Sequence, residues 1–318
     1  MIVVKIQGGL GNQISQYAMS RWLQNRYPKH QVKLDVSWCD THAPGFELVQ
    51  AFDNNKLHYT LATPQDVFRA SGLFTEPTTN KVWAKGYNKL ARTCKRILGH
   101  STVVCQQISS GYPETQQLYH LDERGNWYIN GFWHNWDYTH ILAQLQSELV
   151  YNPWNDEEFV ALQAEILRCN GVAVHIRLSD YSGSEHDILP TSNYYADALK
   201  YVLDEIANPV IYLFSDEPDR ATKYMQTTIA GIQVKTVKSQ SRPPYTDMVL
   251  MSLCKAVLCA NSTYSYWAAL LGYRAEHIIT IPEYYAKDRK MWRNGLCITI
   301  PLYKLEGKKK HDIENRPR

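Results

Sequence analysis

The sequence predicts an α/β protein of two Rossmann-like domains. Short apolar runs that suit buried strands alternate with helical segments, first within residues 2–36 and then, more regularly, within 172–281. This alternation is typical of parallel sheets covered by helices. The chain has 318 residues, of which 44% are hydrophobic, so it can form two cores. We place the first domain at 1–165, the second at 166–285, and a C-terminal segment with a basic tail at 286–318.

The elements follow from the apolar runs and from the residues that interrupt them. In the first half, we predict strands at 2–6, 32–36 and 127–133, a helix at 12–27 that Pro28 ends, a helix at 82–98, and further helices up to Cys169. In the second half, we predict strands at 172–176, 210–214, 232–237, 256–260 and 277–281, with helices at 192–206, after Pro218, at 246–255 and at 264–271.

Composition and charge exclude several classes of protein. A net charge of +3 is too small to indicate binding of nucleic acid. The seven cysteines lack CxxC spacing, which predicts neither a disulfide framework nor a zinc site and favours a reducing compartment. The N-terminal segment is too short for a signal peptide, and no window approaches the roughly 20 apolar residues of a membrane span. We therefore expect a cytoplasmic protein, whose basic tail is either a solvated terminus or a weak contact with an anionic membrane.

A glycine-rich turn at residues 8–13, Gly-Gly-Leu-Gly-Asn-Gln, joins the first strand to the first helix. Glycines let a ligand approach the backbone, and the start of a helix favours an anion. The spacing differs from GxGxxG, and Asp35 is the nearest acid that could bind a ribose, which argues against a Rossmann oxidoreductase. The alternative is a tight turn in which Asn12 is the N-cap.

The strand at 172–176 ends on His175 and is followed by Arg177 and Asp180. Ligands of open α/β sheets bind beyond the carboxyl ends of strands, and the planar guanidinium of arginine suits phosphate. The alternative is a surface pair of Arg177 with Asp180 beside a histidine of the core.

The segment Asn261-Ser262-Thr263 lies between a strand and a helix, where hydroxyl groups and free backbone N–H groups converge. It predicts an anion site, with a simple N-cap as the alternative. Together the three segments place phosphate-binding groups at strand ends in both domains. A cleft between two such domains suits a nucleotide-sugar transferase.

These segments resemble the α-1,2-fucosyltransferases of bacterial O-antigen synthesis, glycosyltransferase family 11. The matching segments are 8–13 with Gln-Tyr-Ala at 16–18, Leu-Asp-Val-Ser-Trp at 34–38, Phe-Glu-Leu at 46–48, Gly-Phe-Trp-His at 131–134, Asp247 with Met251 and Ser252, and 260–267. The match departs from the family pattern at three positions. Leu178 and Ser179 stand where the family has Arg and Gly, and His134 stands where it has Gln.

The resemblance implies a GT-B fold, with two Rossmann-like domains facing across a cleft. It also implies an inverting transfer of L-fucose from GDP-β-L-fucose to the 2-hydroxyl of a terminal galactose. Carried over residue by residue, Arg177 would clamp the β-phosphate, and His175 and Asp247 would bind the guanine edge. Further donor-binding residues would be Asn261, Ser262 and Thr263 at the helix start, and Gly9, Gly11, Asn12 and Gln13 in the other domain.

Several acidic residues are candidates for the general base. Glu185 is our first choice, because residues 180–185 resemble a loop of the α-1,6-fucosyltransferases that carries their proposed base. The alternatives are that Glu185 is an exposed loop acid, that Asp35, Glu47 or Asp180 is the base, or that no base acts. We expect Asp180 to hold Arg177 or the adjacent backbone, and Asp35, Glu47 and His134 to lie on the acceptor side.

We expect no cofactor and no essential metal, since the chain contains no Asp-x-Asp motif and GDP-fucose is a substrate. The expected partners are GDP-fucose and a galactose-terminated oligosaccharide, lipid-linked at the inner membrane. Two alternatives stay open, namely a fucosyltransferase of another linkage or acceptor, and a non-catalytic protein that binds GDP-sugars or glycans.

Overall fold

The computed structural model describes residues 1–74, 86–90, 103–105, 117–134, 136–188, 192–229, 231–238, 242–284, 286 and 297–300. Contacts within the chain divide it into two compact units, Met1–Asn152 and the part from Pro153 onward. The boundary that we predicted at residue 165 falls within the helix Glu157–Arg168, and contacts place this helix with the second unit. Most of the helix predicted at 82–98 and the basic tail lie outside the described residues. Within those residues, no helix is long and apolar enough to cross a membrane.

The first unit is built on a four-stranded parallel sheet. Its elements are β1 Ile2–Lys5, α1 Leu10–Arg26, β2 Val32–Asp35, α2 Leu48–Ala51, α3 Pro64–Ser71, β3 Val103–Cys105, β4 Trp127–Asn130, a 3-10 turn at Thr139–Ile141, and α4 Leu142–Glu148. The strand order is β2-β1-β4-β3, and all pairs are parallel. The carboxyl ends of β1, β2 and β4 therefore lie along one edge of the sheet.

Helix α1 is buried along most of its length, including polar residues such as Gln13 and Gln16, which explains why its polar residues are not gathered on one face. Its Gln16 accepts a hydrogen bond from the backbone N–H of Gln7 (2.8 Å) and donates one to the carbonyl of Gly131 (3.1 Å). It thereby joins the segments that leave β1 and β4. Near the middle of α1, Arg21 forms an ion pair of 2.9 Å with Glu148 in α4, so this helix is fixed against both the sheet and its neighbour.

The second unit contains a six-stranded parallel sheet. Its elements are α5 Glu157–Arg168, β5 Asn170–Ile176, α6 Tyr194–Glu205, β6 Pro209–Ser215, α7 Pro218–Thr228, β7 Lys235–Thr236, α8 Tyr245–Leu253, β8 Ala256–Leu258, α9 Thr263–Leu271, β9 Ile278–Pro282 and β10 Ile298–Ile300. The strand order is β10-β9-β8-β5-β6-β7. Numbered within the unit, this is the order 3-2-1-4-5-6 of the doubly wound Rossmann fold, with its switch point between β5 and β8.

The central strands of this sheet are apolar because helices cover both faces. In β5, every residue from Gly171 to Ile176 is buried, and the core on one side continues through Leu199, Val202 and Leu213. Five predicted strands and four predicted helices of this unit are present, with ends that shift by a few residues. The largest change is at 232–237, where only Lys235–Thr236 pairs with a neighbouring strand.

Candidate functional site

The carboxyl ends of β5 and β8 bring two of the predicted segments together. These strands are neighbours at the centre of the second sheet, where Val174 pairs with Leu258. Arg177 directly follows β5, and Asn261 comes soon after β8. Because strand order reverses between them, a ligand is expected in the crevice beyond their ends. The fold therefore places both segments where doubly wound sheets bind ligands.

Arg177 is held by two carboxylates through a single nitrogen. Its Nε lies 2.8 Å from Oδ1 of Asp180 and 3.2 Å from Oδ2 of Asp216. Burial lowers the pKa of Arg177, but the hydrogen bond with Asp180 and the charge of Asp216 outweigh it and raise the pKa. Neither terminal nitrogen of the guanidinium has a hydrogen-bond partner within the described residues. The two groups that bind phosphate best are thus left for a ligand.

Asp216 is a functional candidate that the sequence reasoning missed. Its Oδ1 accepts the backbone N–H of Leu178 (2.9 Å), and its Oδ2 accepts the N–H of Ser179 (3.1 Å) and the Ser179 hydroxyl. Burial alone would raise the pKa of Asp216, but these hydrogen bonds and Arg177 lower it. A signal existed, because Asp216 directly follows β6 just as Arg177 follows β5.

Both departures from the family pattern in this loop have structural roles. Leu178 is buried at 7% exposure and packs into the core with Ile176 and Ile188. Its side chain therefore lies among apolar residues, where a second arginine would be unfavourable. The hydroxyl of Ser179, which glycine lacks, donates to Asp216 and adds a bond to the network that holds Arg177.

His175 is buried at the end of β5, with 4% of its surface exposed. Burial, together with the charge of Arg177, lowers its pKa to about 4, so the imidazole is neutral at pH 7. Its ring centre lies 5.6 Å from that of Tyr264, at the start of α9. The predicted contact of His175 with the guanine edge stays a prediction.

The start of α9 combines a helix cap with ties to the loop after β5. Ser262 is the N-cap, and its Oγ accepts the N–H of Tyr264 (3.3 Å), so the N-cap alternative is confirmed for this residue. The amide of Asn261 donates to the carbonyl of His186 (2.9 Å), and the Tyr181 hydroxyl donates to the carbonyl of Asn261 (3.1 Å). Asn261 and Ser262 therefore fix the loop beside Arg177, and Thr263 is the first residue of the helix.

The two acids of this loop that we named as catalytic are both well exposed. The side chain of Asp180 is 62% exposed and that of Glu185 is 59% exposed. The Oε1 of Glu185 lies 3.6 Å from Nε2 of its neighbour His186. The open-loop environment matches the alternative in which Glu185 is a solvated acid.

Asp247 lies in the first turn of α8, close to a buried arginine that the sequence reasoning also missed. The NH2 nitrogen of Arg242 is 3.8 Å from Oδ1 of Asp247, and the Arg242 side chain is only 2% exposed. The hydroxyl of Tyr264 donates to the carbonyl of Pro244, between the two residues. The segment with Asp247 is therefore tied to the ring that lies beside His175.

The glycine-rich turn precedes a helix that begins earlier than predicted. Gly8 has φ +78°, a conformation that favours glycine, and a Cβ there would lie 2.7 Å from Nδ2 of Asn12. Gly9 is the N-cap and the helix begins at Leu10, so the alternative in which Asn12 is the N-cap is wrong. Gly11 is buried in the first turn, and Asn12 is half-buried.

Gln13 joins the glycine-rich turn to the segment that carries Glu47. Its Nε2 donates to the carbonyls of Gly8 (2.8 Å) and Gly45 (2.7 Å), and its Oε1 accepts the N–H of Glu47 (2.9 Å). Gln13 has no exposed surface, so its part in donor binding would be indirect. Burial raises the pKa of Glu47, although a hydrogen bond from the Leu10 N–H partly offsets this.

The other acceptor-side candidates lie near the ends of β2 and β4. Asp35 is buried; its Oδ1 accepts the N–H of Ser37 (3.0 Å) and its Oδ2 accepts the hydroxyl of Tyr128 (2.6 Å). Both of its oxygens are therefore engaged in holding the strand ends. His134 is buried at 9% exposure, four residues after β4. Within the described residues, no group of three or more His, Cys, Asp or Glu side chains is placed to hold a metal ion.

Known proteins similar to this chain are glycosyltransferases. The α-1,2-colitosyltransferase of Escherichia coli is 26% identical over 279 residues, which are 85% of this chain and 87% of the relative. The O-antigen biosynthesis glycosyltransferase WbnK of Escherichia coli is 28% identical over 309 residues, covering 90% and 95%. The crystal structure of the fucosyltransferase NodZ from Bradyrhizobium aligns with a TM-score of 0.50 at 14% identity, covering 85% of this chain and 92% of NodZ.

The likeness to NodZ concerns the fold. It agrees with the two Rossmann-like units seen here, and the predicted GT-B fold class is confirmed. The family model of Glycosyl transferase family 11 matches residues 106–295, which is more than half of the chain. The protein is thus a glycosyltransferase of the fucosyltransferase type, and the chain belongs to glycosyl transferase family 11.

Proposed function

We propose that this protein transfers L-fucose from GDP-β-L-fucose to the 2-hydroxyl of a galactose that ends an oligosaccharide, with inversion at the anomeric carbon. The observation that carries the proposal is the position of Arg177 beyond the switch point of the second sheet, on a loop that hydrogen bonds of Tyr181 and Asn261 join to the start of α9. The terminal nitrogens of Arg177 and the helix N-terminus suit a diphosphate.

The chemistry that such a site would supply is stabilisation of the leaving group. The bond between C1 of fucose and the β-phosphate oxygen breaks, and its electron pair goes to GDP. Negative charge therefore grows on the diphosphate while C1 becomes oxocarbenium-like. Arg177, held by Asp216, would bind that charge without moving. Loss of one comparable preorganised donor costs about 10²–10³ in rate.

The acceptor oxygen attacks C1 from the opposite face, and its proton passes to a base. Three of the carboxylates that could be the base lie in very different surroundings. Glu185 is exposed, Asp35 has both oxygens engaged in hydrogen bonds, and Glu47 is half-buried with a raised pKa. A base works best when its pKa lies near the working pH, which favours Glu47. The cationic groups around the diphosphate would make a metal unnecessary.

The relative named α-1,2-colitosyltransferase favours a second candidate, in which colitose is the transferred sugar. Colitose is 3-deoxyfucose, so a donor site for one sugar differs little from a site for the other. Comparing kcat/KM for GDP-fucose and GDP-colitose on the same acceptor distinguishes the two. In either case, we place the reaction in the cytoplasm on a lipid-linked acceptor, with the basic tail near the membrane.

Calorimetric titration with GDP tests the proposal, with UDP and ADP as controls and with EDTA present or absent. We expect selective binding of GDP that EDTA leaves unchanged. Arg177→Ala should keep the fold, as seen by circular dichroism, and should lower fucosyl transfer to lactose by about 10²-fold or more. Transfer by this variant at the wild-type rate would remove the phosphate role of Arg177. Failure of the wild-type protein to bind GDP would favour the alternative of a non-catalytic protein that binds glycans.

A further inference from the structure

Arg242 is a buried cation that has no part in the donor site described around Arg177. Its side chain is 2% exposed, and none of its three guanidinium nitrogens has a hydrogen bond within the described residues. Burying a charged group without hydrogen bonds is costly, and such groups persist where a partner or a function compensates for the cost. With 2% exposure, Arg242 cannot itself contact a ligand, so its effect must pass through a neighbour.

Asp247 is the carboxylate that lies nearest to Arg242 among the described residues. It is the only carboxylate within 4 Å of the Arg242 guanidinium in the described part of the chain, at 3.8 Å. The other side of Arg242 is covered by Phe159 of α5, whose ring centre is 5.9 Å from Cζ. Asp156, the N-cap of α5, has its own hydrogen bonds, from the Phe159 N–H and the Trp154 indole.

The segment between Arg242 and Asp247 is fixed to the candidate donor site. Pro244 accepts the hydroxyl of Tyr264, and the Tyr264 ring lies 5.6 Å from that of His175. Pro243 accepts both the N–H and the hydroxyl of Thr246 (3.0 and 2.8 Å), which fixes the turn that precedes Asp247. The backbone and the buried cation thus set where the carboxylate of Asp247 lies.

We propose that Arg242 is a positioning residue that holds the carboxylate of Asp247 for recognition of the guanine base. This role rests on the proposed function, in which a carboxylate accepts the N1–H and 2-amino donors of guanine. An ionised carboxylate can accept both donors, one on each oxygen, whereas a protonated acid cannot accept both as well. The facing positive charge of Arg242 favours the ionised form and so sustains the selectivity for guanine. It contributes little to the binding of the diphosphate, which the residues around Arg177 would contact.

The test compares GDP with inosine diphosphate, which lacks the 2-amino group but keeps the same diphosphate. The wild-type protein should bind GDP more tightly by about 10- to 100-fold, the range of one lost hydrogen bond to a charged group. In Arg242→Met, this ratio should fall toward one, mainly through weaker binding of GDP. Arg242→Lys, which keeps the charge, should retain part of the ratio.

Asp247→Asn distinguishes failure of the guanine-binding role of Asp247 from failure of the positioning role of Arg242. If this variant keeps the wild-type ratio, Asp247 does not bind guanine and that part of the proposed function fails. If Asp247→Asn loses the ratio and a folded Arg242→Met keeps it, the role of Arg242 is overturned. Equal weakening of both nucleotides in Arg242→Met also overturns it, since a merely structural role predicts that result. If Arg242→Met is unfolded, Arg242→Gln decides, because it also removes the charge but keeps a polar side chain. A fall of the ratio toward one with an intact fold supports the role of Arg242, and the wild-type ratio overturns it.

Discussion

The carboxylate of Asp216 accepts two backbone N–H groups and the hydroxyls of Ser179 and Ser215, and it also lies 3.2 Å from Nε of Arg177. One side chain, with 17% of its surface exposed, therefore fixes both the loop after β5 and the guanidinium on that loop. Asp180 approaches the same Nε more closely, at 2.8 Å, but from the solvent side. Exposed ion pairs contribute about 0–1 kcal/mol, whereas hydrogen bonds to charged groups contribute about 1.5–3 kcal/mol.

The two acids therefore make a matched pair of substitutions. Asp216→Asn should lower turnover by about 10- to 100-fold, because the amide cannot accept all of these donors and no longer balances Arg177. Asp180→Asn should lower it by less than about 5-fold. Turnover and the Kd for GDP would be measured for both variants. A larger loss in Asp180→Asn than in Asp216→Asn would show that the solvent-side pair positions Arg177.

Prediction from sequence worked best for residues whose role depends on near neighbours in the chain. Arg177 and Ser262 could be proposed from sequence because Arg177 directly follows one recognisable strand and Ser262 lies four residues after another. Asp216 and Arg242 could not be assigned, because their roles arise from the pairing of β5 with β6 and from the packing of α5 near α8. Gln13 was predicted as a ligand contact, yet only the folded loop at Gly45 shows that its amide is enclosed.

At the scale of elements, the start of α1 and the segment before α2 form a single structure. Gln13 links them, and the Leu10 N–H at the helix start donates to the carboxylate of Glu47. A Cβ on Gly9 would lie 3.8 Å from Oε2 of Glu47, so the glycine leaves room beside this carboxylate. Glu47 is half-buried, and its pKa is raised by burial with no neighbouring cation among the described residues to lower it. These surroundings suit a general base.

Glu47→Gln tests this assignment, since glutamine can still accept the Leu10 N–H. We expect kcat for fucosyl transfer to lactose to fall by about 10²–10⁴-fold while the Kd for GDP stays constant. In the wild-type protein, kcat/KM should fall as pH drops through the raised pKa of Glu47, because only the carboxylate accepts a proton. This acid limb should disappear in the variant. If Glu185→Gln removes the limb instead, the loop acid is the base.

At the scale of the whole molecule, the alternation of strands and helices predicted two parallel sheets, but it did not predict the order of their strands. The order in the second sheet places β8 beside β5, so that segments 80 residues apart meet. In that order β6 and β7 lie on one side of β5 and β8 lies on the other, and single-sequence patterns do not encode on which side a strand is added. The fold class was therefore more predictable than the neighbours of each site residue.

Buried histidines make the free energy of unfolding depend on pH, and substitution of a single histidine can test this dependence. His277, next to β9, is buried at 7% exposure, and burial together with Arg274 lowers its pKa to about 4. In the unfolded chain its pKa is about 6.5. Between these values the unfolded state binds more protons, so the free energy of unfolding falls as pH decreases. His175 behaves in the same way.

His277→Leu should reduce this dependence, because it removes one group that protonates on unfolding. Each such histidine contributes up to about 1.4 kcal/mol per pH unit between pH 6.5 and 4. Urea unfolding followed by circular dichroism at pH 5, 6, 7 and 8 measures the slope. Above pH 7, the curves of the two proteins should run parallel, since neither state of the chain then protonates this histidine. Below pH 6.5, the variant should lose stability more slowly than the wild-type protein. Equal slopes in that range would mean that His277 takes up its proton in the folded state, and that the loop at Arg274 opens to admit it.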